Sequence, residues 1–197
     1  MDTSTIIETL LNNHNGIIRT SDAAQAGISR TTLGAFVKNG QLERIAHGQY
    51  IRPDNMADEL YMLQQRSDKI IFSHETALFL HDMAERTPFL HSLTIPSSDK
   101  LSPALSDGCK VYYIKSELHG LGRCAVKSKM GNEVIAYDAE RTICDILRSR
   151  SRIDSQTLAE AMKSYAARKG QNWNRLREYA EVFRVTKLLR QYLEVLT

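Results

Sequence analysis

The sequence predicts an α+β protein in two parts: a small helical module closed by a hairpin over residues 1–53, and a mixed α/β domain over residues 57–197 that ends in a helical bundle. Three observations carry this reading. Before residue 40, apolar residues recur at helical spacing in three short runs, and two alternating runs around a glycine follow. Pro53-Asp54-Asn55 then breaks the pattern. Beyond it, short β-branched runs mix with helical ones, and after Asp138 only helical periodicity remains. With 197 residues, 42% hydrophobic and 25% charged, the chain can bury a core in each part and is too balanced to stay disordered.

The elements of the first part follow in order. Thr5 and Glu8 have the spacing of a capping box, and Ile6, Ile7, Leu10 and Leu11 make one apolar stripe. Asn15-Gly16 ends this helix, and Ile17-Ile18 suits a short extended segment. A brief second helix starts near Ser21, with Ala23, Ala24 and Ala26 small enough for close packing. Gly27 turns the chain, Ile28 plugs the core, and Ser29 caps a third helix whose Leu33, Phe36 and Val37 face inward. Gly40 ends it. The runs 42–46 and 49–52 then flank His47-Gly48 as a hairpin.

This order is that of a winged helix-turn-helix. Ser29, Arg30, Thr31 and Thr32 form the helix turn offered to the major groove, where Arg30 can read guanine and the threonines can meet phosphate or a thymine methyl. On the wing, Arg44, His47 and Arg52 are placed for backbone or minor groove. The same arrangement also serves protein contacts.

In the second part, residues near Ala57 to Gln65 suit a connecting helix. Ile70 to Phe72, Leu93 to Ile95, Val111 to Ile114, Leu121 to Val126 and Val134 to Tyr137 suit strands. Ser73 is placed to cap a helix running through Ala77, Leu78, Leu80 and Met83, and a polar loop is expected from Ser97 to Gly108. Asp138, Asp154 or Ser155, and Asn172 are placed to cap three later helices. A last helix puts Val185, Leu188, Leu189, Tyr192, Leu193 and Leu196 on its buried side.

Charge and chemistry narrow the function. Residues 1–56 carry five Lys and Arg against five Asp and Glu, whereas residues 138–197 carry twelve against eight. Arg148, Arg150, Arg152, Arg175 and Arg177 belong to that excess and are candidates for phosphate contact, or for a solvated helix face. Glu140, Arg141, Asp145 and Arg148 have the spacing of a buried or half-buried ion network tying their helix to the strands, or of a ligand site. His74 and His81 share a helix face but lie roughly 10 Å apart, too far for one metal. No Glu-x-Lys or Asp-x-Lys nuclease triplet, phosphate-cradling loop or Gly-x-Ser-x-Gly turn occurs. Gly120-Leu121-Gly122 suits a turn before a strand. Catalytic residues, metal and cofactor are therefore expected to be none. Cys109, Cys124 and Cys144 suit reduced thiols in a cytoplasmic protein, with neither a secretory signal nor an apolar run of the ~18 residues a membrane span needs. A second domain that acts as an enzyme on nucleic acid or nucleotides stays open as the alternative.

Three stretches carry a resemblance: residues 40–50 with Gly27 before them, Ser73 to Leu78 followed by Thr94-Ile95-Pro96, and Tyr137 to Asp145. Together they resemble the AbiEi antitoxins of type IV, abortive-infection toxin–antitoxin systems, which act in phage resistance. The resemblance implies a two-domain cytoplasmic protein whose first domain binds inverted repeats in its own promoter and represses transcription. It implies a second domain needed for antitoxicity and a nucleotidyltransferase toxin opposed without a stable complex. It supplies no catalytic residues.

Overall fold

The computed structural model describes residues 2–196, without the side chains of Val195 and Leu196. The inward placement expected of Leu196 lies outside the described residues. The chain is mixed α+β with two sheets, and divides into two compact units, Met1–Met62 and Leu63–Thr197. Among the described residues no helix is long and apolar enough to cross a membrane.

The first unit opens with α1, Thr3–Asn13, capped at its start by the extended backbone of Asp2. The expected capping box does not form. Thr5 lies inside the helix, and Glu8 reaches Arg52 instead. Asn15 and Gly16 both take left-handed backbone, which turns the chain into β1, Ile18–Arg19. Next come α2, Thr20–Gln25, and α3, Arg30–Lys38. The hairpin consists of β2, Glu43–Ala46, and β3, Gln49–Ile51, and β3 is the central strand of an antiparallel β1-β3-β2 sheet. That position explains why β3 is buried throughout and does not alternate. The register shifts between Arg44 and Ala46, so Ile45 bulges.

The core of this unit joins Ile7 and Leu11 to Ile18, Ala23, Ile28, Leu33, Leu42 and Tyr50. Leu33 is fully buried, which contributes roughly 1.5–3 kcal/mol relative to exposure. Of the three alanines expected to pack, only Ala23 is buried; Ala24 is exposed and Ala26 half-buried.

Helix α4, Glu59–Gln64, spans the boundary between the two units, and the second unit then holds a five-stranded sheet of order β6-β5-β4-β8-β7. Its strands are β4, Ile71–Phe72; β5, His91–Pro96; β6, Cys109–Ile114; β7, Arg123–Lys127; and β8, Glu133–Tyr137. β4–β8 and β5–β6 pair in parallel, β4–β5 and β7–β8 antiparallel. The outer strand β7 alternates exposed and half-buried residues, as an edge strand should. Gln64 extends the sheet: its side chain accepts from the Ile135 amide at 2.6 Å and donates to the Ile135 carbonyl at 2.9 Å.

The helices here are α5, His74–Leu80; α6, Pro103–Ser106; α7, Ser116–His119; α8, Ala139–Arg148; α9, Ser155–Ala167; α10, Trp173–Val182; and α11, Thr186–Leu196. Asp138, Asp154 and Asn172 cap α8, α9 and α10 as expected, each accepting from an amide three residues on. Ser73 does not cap α5 with its side chain. Helix α8 is the hub, buried continuously from Ala139 to Leu147. Its apolar residues join those of α9, α10 and α11 in one core.

Candidate nucleic-acid interface

In the first unit, α2 and α3 are joined by a tight turn. Gly27 takes φ +82°, a left-handed conformation that glycine adopts without strain, and Ile28 drops into the core beneath it. Ser29 Oγ accepts from the Thr32 amide at 3.1 Å and lies 2.8 Å from the Thr32 hydroxyl. Ser29 and Thr32 are therefore engaged with each other at the cap. Arg30 and Thr31 are exposed on the same first turn, beside the positive end of the helix dipole. On the hairpin, the Arg44 guanidinium donates to the Ala46 carbonyl at 3.3 Å and lies 3.4 Å from His47 Nδ1. Both side chains are exposed at the turn.

Arg52, offered by the sequence as a wing contact, is instead held by Glu8 across from α1. Arg19 is also engaged, donating to both Asp22 carboxylate oxygens at 2.8 and 2.9 Å. Burial is the largest single influence on Asp22 and opposes its ionisation, but the hydrogen bonds and positive charge around it, mainly from Arg19, together outweigh it and hold the carboxyl below its usual range. This pair fixes α2 to the end of β1. The Thr20 amide, donating to the Gly48 carbonyl at 2.9 Å, fixes α2 to the hairpin turn.

The first unit contains five Lys and Arg side chains. With Arg19 and Arg52 neutralised, the three that make no ion pair among the described residues are Arg30, Lys38 and Arg44. All three lie on α3 or β2. Sequence reasoning missed Lys38; the available signal was a basic residue in the last turn of the same helix.

The arginines of the second unit do not form one patch. Arg141 and Asp145 make the expected i,i+4 pair at 2.9 Å, fully buried, and Arg148 joins from the next turn at 3.6 Å. Glu140 stands apart from that network, accepting from the Tyr165 hydroxyl at 3.0 Å and the Asn172 amide at 2.9 Å. Arg148 and Arg152 face one cleft, with Arg152 4.3 Å above the Tyr112 ring. Arg150 is exposed, without an ion pair among the described residues. Arg175 turns toward Asp138 at 3.8 Å. Arg177, two residues on along the helix, lies instead in a groove shared with Arg190 and with the carboxylates of Glu181 and Glu194.

The two histidines singled out for spacing are both engaged. His74 lies 2.9 Å from the Ser73 hydroxyl and 3.0 Å from the Ser149 hydroxyl, and stacks on Tyr112 with ring centroids 3.4 Å apart. Its backbone is left-handed at φ +48°. Burial, reinforced by Lys110 and the neighbouring arginines, pushes its pKa well below the usual imidazole value. His81 Nε2 lies 2.7 Å from the Tyr137 carbonyl. Among the described residues no group of three or more His, Cys, Asp and Glu side chains is placed to hold a metal.

Residues 6–53 match the family model described as transcriptional regulator, AbiEi antitoxin. The family resemblance read from the sequence is thereby shown over that segment. No curated protein matches the chain. Among solved structures, the chain is similar to the RV2827C protein from Mycobacterium tuberculosis, at 13% identity and a TM-score of 0.59, over 97% of this chain and 80% of that one. At that identity the likeness is one of fold.

Proposed function

We propose that this protein is a non-catalytic, DNA-binding antitoxin that represses its own operon, with the first unit acting as a winged helix-turn-helix. The observation that carries this reading is the position of the unpaired cations. Arg30, Lys38 and Arg44 all fall on the helix and hairpin strand that such a module presents to DNA, while Arg19 and Arg52 are neutralised internally. The family match over residues 6–53 supports the regulatory role.

Arg30 and Thr31 read base edges in the major groove, and Arg44 with His47 follows the phosphate backbone or minor groove. Ser29 and Thr32 shape the reading turn. The operator is an inverted repeat that takes one copy of the module on each half. Arg150 and Arg177, exposed in the second unit, supply phosphate contacts outside the reading helix.

A gel-shift titration with Arg30→Ala tests this reading. Loss of a bidentate guanine contact weakens operator binding by about ten- to a hundredfold and relaxes preference at one base pair. Unchanged affinity and preference would overturn it. The partner toxin is a nucleotidyltransferase, opposed without a stable complex. Rescue of toxin-arrested growth without co-purification of the toxin is the expected result, and co-purification would contradict it.

A further inference from the structure

The second unit holds a cleft that the regulatory reading leaves without a role. It has a volume of about 250 Å³ and opens between β5, β6 and the C-terminal end of α8. Three guanidinium groups line it, from Arg141, Arg148 and Arg152, against one carboxylate, Asp145. His74, also in its wall, is kept neutral by burial. The lining therefore carries two uncompensated positive charges.

The innermost of the three arginines is incompletely bonded. Arg141 is fully buried, with its guanidinium 4.0 Å from the Tyr137 ring and 4.2 Å from the Phe183 ring. Its Nε donates to Asp145, and its Nη1 donates to the Leu118 and Leu121 carbonyls. Among the described residues, Nη2 has no hydrogen-bond partner. A buried donor on a charged group without an acceptor is unfavourable, and marks a place for one.

A hydroxyl chain adds a second donor. Thr94 donates to Ser73 Oγ at 2.8 Å. The Ser73 proton is then free for His74 Nδ1, and neutral His74 donates through Nε2 to Ser149 Oγ. That tautomer satisfies every member and leaves the Ser149 proton to point at an acceptor in the cleft.

We propose that this cleft binds a phosphomonoester. A dianionic phosphate matches the two uncompensated charges, takes the forked donors of Arg148 and Arg152, and accepts from Arg141 Nη2 and Ser149. Tyr113, half-exposed in the lining, offers ring surface to the organic portion. A DNA backbone phosphate fits less well: it carries one charge and is flanked by chain on both sides, whereas Arg141 is fully buried in the lining.

Calorimetric titration of the full chain at fixed ionic strength tests this, using inorganic phosphate, ribose 5-phosphate and adenosine 5′-monophosphate as probes. Saturable one-site binding of the phosphomonoesters is expected, and adenosine should not bind. The Arg148→Ala, Arg152→Ala double variant, titrated at a temperature where circular dichroism shows it folded, should lose at least about tenfold in affinity. Arg30→Ala should bind the probes as the parent does, which separates this proposal from the operator reading. Heats matched by sodium chloride, or affinity unchanged in the double variant, would overturn it. So would displacement of the probes by a short duplex, which would assign the cleft to DNA.

Discussion

His74 shows how one side chain couples burial to pH. It is buried, stacked on Tyr112 and surrounded by Lys110 and arginines, so it stays neutral well below the pH at which a free imidazole protonates. An unfolded chain takes up that proton near pH 6.5, and the folded chain does not. Stability from this residue is therefore complete above pH 6.5. It falls as the pH drops below that value, with a slope of up to about 1.4 kcal/mol per pH unit until the folded-state pKa is reached. Urea denaturation between pH 7.5 and 5.5 should show this loss, and His74→Gln should flatten it. Equal slopes in both proteins would place the effect elsewhere. At this scale, legibility followed distance along the chain. The caps at Ser29, Asp138, Asp154 and Asn172 were readable because donor and acceptor lie three residues apart. The Glu8–Arg52 pair and the partners of Glu140 were not, because tertiary folding alone brings them together.

Between elements, the first turn of α3 separates capping from the proposed DNA contact. Ser29→Ala removes the α3 cap and should cost about 1 kcal/mol of stability. Thr31, exposed on the same turn, should lose operator affinity on substitution by alanine while stability stays within about 0.5 kcal/mol. Paired denaturation and gel-shift curves on the two variants check this; a stability loss at Thr31 would make it structural. A comparable junction holds the start of α8. Gly122 has φ +78°, and a Cβ there would lie 2.7 Å from Cβ of Arg141. Gly122→Ala should destabilise by more than about 1 kcal/mol and disturb the Arg141–Asp145 pair, measured by denaturation. The sequence showed Gly122 as a turn before a strand, but the neighbour that makes glycine necessary lies on another element. Helices α6 and α7 were missed for a different reason: four residues are too few to display a period. Helix α8 was located correctly, and the spacing of its charges read as the buried ion network it forms, but the partners that draw Glu140 out of that network lie on other elements.

For the whole molecule, charge decides how the proposed DNA binding must be divided. The unit boundary adds Asp58 and Glu59 to the first unit, giving five Lys and Arg against seven Asp and Glu; the second unit has twenty-one against sixteen. A module with net negative charge supplies sequence reading more readily than affinity, because affinity grows with the counterions that basic residues displace. The sequence displayed the basic surplus of the last third but not its partition. Arg148 and Arg152 turn to the cleft, Arg175 turns to Asp138, and Arg150 and Arg177 remain exposed. If Arg150 and Arg177 each neutralise one phosphate, the slope of log affinity against log salt should become shallower by roughly 1.8 for each bound copy in the Arg150→Ala, Arg177→Ala double variant. Base preference should be untouched, because phosphate contacts carry no sequence information. Arg30→Ala should do the opposite, altering preference while the slope changes by no more than about one contact. Gel-shift titrations over a salt series, on operator and scrambled duplexes, resolve the two behaviours. A slope unchanged in the double variant would return both arginines to solvent and leave affinity to the second copy on the inverted repeat.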